Sequence, residues 1–314
     1  MKLTSSRRWL PVATIALIAG ALLAGTAGAR TDEAAATKPG PLAGLIKQSK
    51  KESGLVFYAN APASNLKVVT DRFKYYHPWI NSTAYDLDNN VIFSKYASEA
   101  AQGTRTADLL IASAPNLWVY ASRKKYMLKF DPLELAAFPK FAKQYPGIFI
   151  ISPDPAIIMY NKLVLKGKVP QSLTEMANDP GTYGKLTGYT VDNQFGYTGF
   201  WGYVQKKGWS ALEKLGKSRF IATTGVAGQR SLVSQGAATA ASLTSPTVRL
   251  GIETDPNLSK ILGWTYNKDA TPLIPRGMGI TAKAASPASA KLFLNWLFTK
   301  AGQQAMCDAG FTAF

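Results

Sequence analysis

Thiol and imidazole are nearly absent from this 314-residue chain, which holds one cysteine, Cys307, and one histidine, His77. A single thiol excludes an internal disulfide framework, redox chemistry that needs a cysteine pair, and a metal site built from several thiolates. Cys307 is expected to pack as a small hydrophobe. A single imidazole excludes a multi-histidine metal site and leaves one residue for any histidine-based triad. His77 is followed by Pro78 and Trp79 and reads as a helix-end or surface side chain. The strong enzymatic signatures GxSxG, HExxH, Walker A and GxGxxG do not occur, which weakens an enzymatic reading. Acid is also scarce: 19 Asp and Glu stand against 36 Lys and Arg, for a formal net charge of +17.

The cations are dispersed, with short pairs such as Lys50-Lys51, Lys124-Lys125 and Lys206-Lys207, and no nucleic-acid-binding motif accompanies them. Nucleic acid is therefore not an expected partner. A surplus of this size steers diffusing anions toward a cleft. Asp86-Leu87-Asp88-Asn89-Asn90 begins like a calcium loop, but Val91 stands where glycine must make the turn and Ala97 where a bidentate Glu belongs. It reads as a polar loop. With 46% hydrophobic and 18% charged residues, the chain has material for one large core or two medium ones.

The first 29 residues read as a secretory signal peptide. Met1 to Arg8 carries Lys2, Arg7 and Arg8 and no acid, an apolar run follows from Trp9 to Ala24, and Ala27-Gly28-Ala29 is a small-x-small cleavage pattern. Ser6-Arg7-Arg8-Trp9-Leu10 resembles a twin-arginine export signal, and both that route and the general one stay open. No cysteine stands at the cleavage site to take a lipid, and no later segment is long and apolar enough to span a bilayer. The expected location is the periplasm.

Residues 30–41 read as a mobile lead, and the fold is expected from Leu42. Leu42, Leu45 and Ile46 start an amphipathic helix expected to run to Gly54. Leu55 to Tyr58 reads as a strand, with Ser64 as cap of a helix carrying Leu66, Val69 and Phe73. Asp108 to Ala112 is a second strand leading to a Pro115 helix start. Ile148 to Ile151 and Ala156 to Asn161 are strand-like runs separated by the breaker Ser152-Pro153-Asp154-Pro155, a mid-chain crossing. Helices around Phe200 to Leu215, a strand at Phe220 to Thr223, a helix opened by Gly225, an apolar run from Ala237 to Leu243, and a strand within Pro272 to Ile280 follow. After that strand comes a helix signalled by Ser286, Pro287, Leu292, Phe293, Trp296 and Leu297. This alternation predicts an α/β fold with mainly parallel sheets.

Several of these stretches carry a family resemblance: Val56-Phe57-Tyr58, the Ala107 to Ser113 strand, Met159-Tyr160-Asn161-Lys162-Leu163, Lys185-Leu186-Thr187-Gly188-Tyr189, and above all Ala284 to Gln304. With them the mature chain resembles a periplasmic solute-binding protein of an ABC importer, in the type II group that includes ferric-ion, organophosphate and phosphonate binders. The resemblance implies two α/β lobes, 42–150 plus 272–314 and 151–271, hinged and closing on a solute. It also implies an ABC permease as partner; we expect a monomer, no cofactor and no catalysis. Ferric members use a tandem tyrosine pair, but the matching run here is Ala240-Ala241-Ser242-Leu243-Thr244-Ser245-Pro246, and Tyr58 to Pro62 contains no histidine. Direct metal binding is therefore disfavoured, and ferric binding is the alternative.

The loops matching the family's binding loops offer Asn60, Ser64, Ser113, Gln194, Tyr197, Thr224, Gly225, Thr244 and Ser245 as ligand-binding residues. These are neutral donors, a glycine and an aromatic, several of them opening helices whose N-termini hold anions. The expected solute is a small organic anion, phosphorylated, phosphonate or carboxylate. Phe195, Tyr197, Phe200 and Trp201 form either an aromatic wall for a ring compound or core, with core the leading reading for Phe200 and Trp201. A hydrolase or a sensor on the same two-lobed scaffold are the rival classes.

Overall fold

The structure is a computed structural model and describes residues 40–314; the leader and almost all of the expected lead lie outside them. Two sheets organise the chain. The first has six strands in the order β2 (Ser82–Asp86), β1 (Leu55–Ala59), β3 (Leu109–Ala112), β11 (Leu273–Ile280), β5 (Ile148–Pro155) and β4 (Lys143–Tyr145). The second has five, in the order β10 (Leu262–Tyr266), β6 (Ile157–Asn161), β9 (Ala240–Thr244), β7 (Leu186–Tyr189) and β8 (Ile221–Thr223). Each sheet is mixed: β2, β1 and β3 run parallel, as do β9, β7 and β8, while the strands entering and leaving at the crossing are antiparallel to their neighbours. Two passages between the sheets in opposite directions require this. They replace the mainly parallel sheets expected from the alternation.

Helices cover both faces of each sheet. They are α1 (Ala43–Ser49), α2 (Ala63–Tyr76), α3 (Asn89–Gln102), α4 (Pro115–Arg123), α5 (Leu173–Asn178), α6 (Pro180–Tyr183), α7 (Gln194–Lys207), α8 (Trp209–Lys217), α9 (Val226–Ser234), α10 (Val248–Thr254), α11 (Pro256–Ile261), α12 (Pro287–Leu297) and α13 (Lys300–Asp308). Phe57, Phe73 and Phe293 meet on one face of the first sheet, with Phe57 and Phe73 edge-on to Phe293. Tyr96, Trp118 and Ile148 fill the other face. The second sheet is sandwiched in the same way, by Phe195, Tyr203 and Leu186 on one side and Val233, Ile252 and Leu262 on the other. Side chains alternating across each strand supply both layers at once.

The proline-rich breaker does not end a strand: β5 continues through Pro153 and Pro155, paired with β11 residues Pro275 and Leu273. Beyond Ile150, β5 has lost β4, and before Gly277, β11 has not yet met β3, so this stretch is a two-stranded ribbon with free outer edges. Proline is tolerated where its missing N–H would have faced an open edge. A register shift between Arg276 and Gly277 marks where the ribbon leaves the sheet. From it the chain enters the second sheet through Ala156, and it returns after β10.

Other local expectations are also adjusted. The first helix stops at Ser49, short of Gly54, which turns the chain into β1 at φ +94°. Ser64 lies inside the first turn of α2, whose N-cap is Pro62, and Ser286 caps α12 with no side-chain hydrogen bond; its backbone N–H instead donates to Asp108 at 2.8 Å. Cys307 is exposed on α13 rather than packed. His77 does stand at the end of α2, half-buried between Phe73 and Trp79.

Candidate functional site

Parallel strands in an α/β sheet point their carboxyl ends at one edge, and loops leaving that edge converge. Here the ends of β1, β2, β7, β8 and β9 deliver Asn60, Asp86, Tyr189, Thr224 and Ser245 to one cavity of about 300 Å³. Its first wall comes from the first sheet: the Asn60 to Asn65 turn into α2 and the Asp86 to Asp88 turn into α3. Its second wall comes from the other sheet: Tyr189, the first turns of α9 with Arg230, and Ser245 to Gly251.

Five of the nine residues expected from sequence, Asn60, Ser64, Thr224, Gly225 and Ser245, line this cavity. Four do not. Ser113 is fully buried, its backbone N–H donating to Asn89 at 3.1 Å. Thr244 is buried too, and its hydroxyl donates to Gln229 Oε1, pinning α9 to β9 from behind. Gln194 and Tyr197 border a separate depression with Pro115, Asn116 and Asp192. Of the four aromatics, Phe195 and Phe200 are core, as expected for Phe200, while Tyr197 and Trp201 are 55% and 47% exposed, Trp201 against its core reading.

The helix starts at the cavity differ in their occupants. α9 begins at Gly225, which has no side chain to cap it, so its first N–H groups are unclaimed by a cap. One turn further on, Arg230 projects along the wall toward α10, where a Cβ at Gly251 would come within 3.4 Å of its Nη1. α2 also begins without a side-chain cap, and the nearby Ala61 amide favours the ionised form of the Asp86 carboxyl. Partial burial raises the Asp86 carboxyl, opposed by Arg276 and by that amide. Asp88 caps α3 through Asn90 N at 3.1 Å.

Below the cavity, on the ribbon, Arg276 and Asp154 form an ion pair at 2.8 Å, both essentially without solvent exposure. Arg276 also donates through Nη1 to the Asn60 carbonyl and lies over the Phe311 ring. Asp154 accepts from Ser152 Oγ, which itself accepts from the Thr312 N–H at 2.9 Å. Tyr189 is buried against Phe195, and this burial raises its phenol well above the usual value, with Arg276 pulling it down.

Asp86, Asp88, Tyr189, Arg230, Thr247 and Arg276 are absent from the sequence-based site. β2, with the pattern Ser-Thr-Ala-Tyr-Asp, carries no apolar run, so Asp86 could not be recognised as a strand end. Tyr189, by contrast, closes a stretch that did read as family-like. Arg230 was readable in principle, being one turn beyond a glycine-opened helix.

Residues 61–304 match the sequence profile of bacterial extracellular solute-binding proteins. Among curated proteins, none matches the chain. Among solved structures, the chain is similar to the substrate-binding protein of an ABC transporter from Agrobacterium tumefaciens, at 21% identity and TM-score 0.71 over 81% of this chain and 78% of that one. It is also similar to the periplasmic binding protein AfuA from Actinobacillus pleuropneumoniae, solved with fructose-6-phosphate, at 16% and 0.66 over 82% and 83%. Iron-bound HitA from Pseudomonas aeruginosa follows at 18% and 0.61 over 81% and 83%. These likenesses fit the two-sheet architecture as the two-lobed type II binding-protein fold. Members of the matched family are non-enzymatic; they bind small solutes, work with ABC permeases and are periplasmic in bacteria. With more than half its length matched by that profile, the chain belongs to the bacterial extracellular solute-binding protein family.

Proposed function

We propose that the chain captures a small organic anion between lobes 42–150 plus 272–314 and 151–271, and presents it to an ABC permease after export by leader 1–29. The observation that carries this reading is the α9 wall, where an uncapped helix start, the Arg230 guanidinium and the hydroxyls of Thr224 and Ser245 share one cavity. A helix N-terminus favours an anion by roughly 0.3–1 kcal/mol, and up to about 2 when partly buried. Hydrogen bonds to charged groups add about 1.5–3 kcal/mol each. Together these approach the roughly −8 kcal/mol of a micromolar complex once ordering costs are met. Phosphate, phosphonate and carboxylate groups all present the oxygens this wall accepts.

Ferric binding is disfavoured by the same geometry. Fe(III) needs hard anionic ligands, and Tyr189 is a buried phenol whose ionisation is opposed by that burial. No tyrosine pair stands in the β9 to α10 stretch. Titration calorimetry and thermal shift of residues 30–314 with organic phosphates, carboxylates and ferric citrate separate the two. The expected result is stabilisation by an organic anion, weakened about tenfold or more in Arg230→Met, the loss of one charge-assisted contact. A selective response to ferric citrate with a visible charge-transfer band would overturn it.

A further inference from the structure

We infer that the solute carries an amine as well as an anionic group, gripped with its anion on the α9 wall and its ammonium on the opposite wall at Asp86 and Asp88. This inference rests on the organic-anion reading of the same cavity and adds its second pole. Acid is the minority charge in this chain, 19 residues against 36 basic ones, yet the first wall presents two carboxylates. Among the described residues neither forms an ion pair, and Arg230 across the cavity forms none either. Three unpaired ionic groups of both signs therefore face one space.

The two walls are not interchangeable. On the first wall the chain's own carboxylates, Asp86 and Asp88, stand beside the start of α2. An anionic group placed there would meet Asp86 and Asp88 at close range, whereas the α9 wall offers only donors and a cation. Ionised carboxylates accept hydrogen bonds and donate none, so whatever part of the solute touches them must be a donor. Closure removes water from both carboxylates, and a neutral hydroxyl brings no charge to offset theirs. An ammonium group supplies three donors and the missing charge.

Titration calorimetry with two matched series tests this: O-phosphoethanolamine, ethyl phosphate and glycerol 3-phosphate, and 4-aminobutyrate with butyrate. In at least one series the amine-bearing member is expected to bind tenfold or more tightly than its amine-free partners. Asp88→Asn should remove most of that preference while leaving the amine-free members as tight or tighter. Asparagine caps a helix about as well as aspartate, so α3 keeps its start in this variant. Equal or tighter binding of the amine-free or polyol members to the parent protein would overturn the ammonium pole and leave the organic-anion reading standing. An absence of binding across both series would overturn that reading together with the inference.

Discussion

Asn65 joins the two halves of the molecule: its side-chain amide donates to the Thr247 carbonyl at 2.9 Å, across the cavity from α2 to the start of α10, and to Ala309 at 2.7 Å. The side chain is buried, so neither carbonyl has water in its place if the amide is removed. A buried acceptor left unsatisfied costs about 1–3 kcal/mol, and the cheapest relief is for the walls to part and let water in. Asn65→Ala is therefore expected to open the unliganded protein, with a larger radius of gyration in solution scattering and weaker solute affinity. Unchanged scattering curves would show that other contacts set the separation of the walls.

The buried pair Asp154 and Arg276 ties the two ribbon strands together and, through the Asn60 carbonyl, ties the ribbon to the cavity. Removing one member of such a pair strands a charge and typically costs about 3–5 kcal/mol, while replacing both with apolar side chains is far milder. Arg276→Met and Asp154→Leu should each destabilise strongly, and the double variant by much less than their sum. Chemical denaturation of the four proteins measures this. Additive losses would mean that the pair's coupling is negligible.

Where the chain writes its hydrophobic pattern plainly, the fold was legible. β1, β3 and α12 follow directly from Leu55-Val56-Phe57-Tyr58, Leu109-Leu110-Ile111 and the Leu292, Phe293, Trp296 spacing, because burial on both faces of a sheet demands apolar runs. β2 was not, since its exposed edge position places no such demand on Ser82 to Asp86. The site was half legible for a related reason. Asn60, Thr224 and Ser245 follow strands that could be read, whereas Asp86 follows one that could not, and Thr244 differs from Ser245 only in which way its side chain turns. The ribbon misled because prolines in sequence do not say whether their edge is occupied.

His77 gives the protein a defined acid sensitivity. Burial among Phe73 and Trp79 lowers its pKa, and no group compensates a charge on its Nδ1, which lacks a hydrogen-bond partner among the described residues. The unfolded chain then binds the proton more readily than the folded one. Stability from this group is complete above about pH 6.5, the ordinary histidine value, and is lost as pH falls toward the lowered folded value. Thermal melts from pH 7.5 to 5 should show a declining midpoint, with a shallower decline in His77→Gln. Parallel pH profiles for the two proteins would count against a role for this imidazole.

Gly277 lies where the ribbon joins the first sheet, directly after the register shift, and the indole of Trp118 lies against it. The indole cannot easily withdraw, because its Nε1 donates to the Ala112 carbonyl at 2.9 Å and its ring is edge-on to Phe93 at 5.0 Å. A methyl group at position 277 would overlap Nε1, so either that hydrogen bond breaks or β11 moves away from β3. Overpacking of this kind costs about 1–3 kcal/mol. Gly277→Ala should lower the denaturation midpoint and shift the near-ultraviolet tryptophan signal, while a variant that also shortens the indole, Trp118→Phe, should recover part of the midpoint. Were Gly277→Ala to melt like the parent, β11 would have slack at the junction, and the ribbon would be free to flex there without disturbing the sheet.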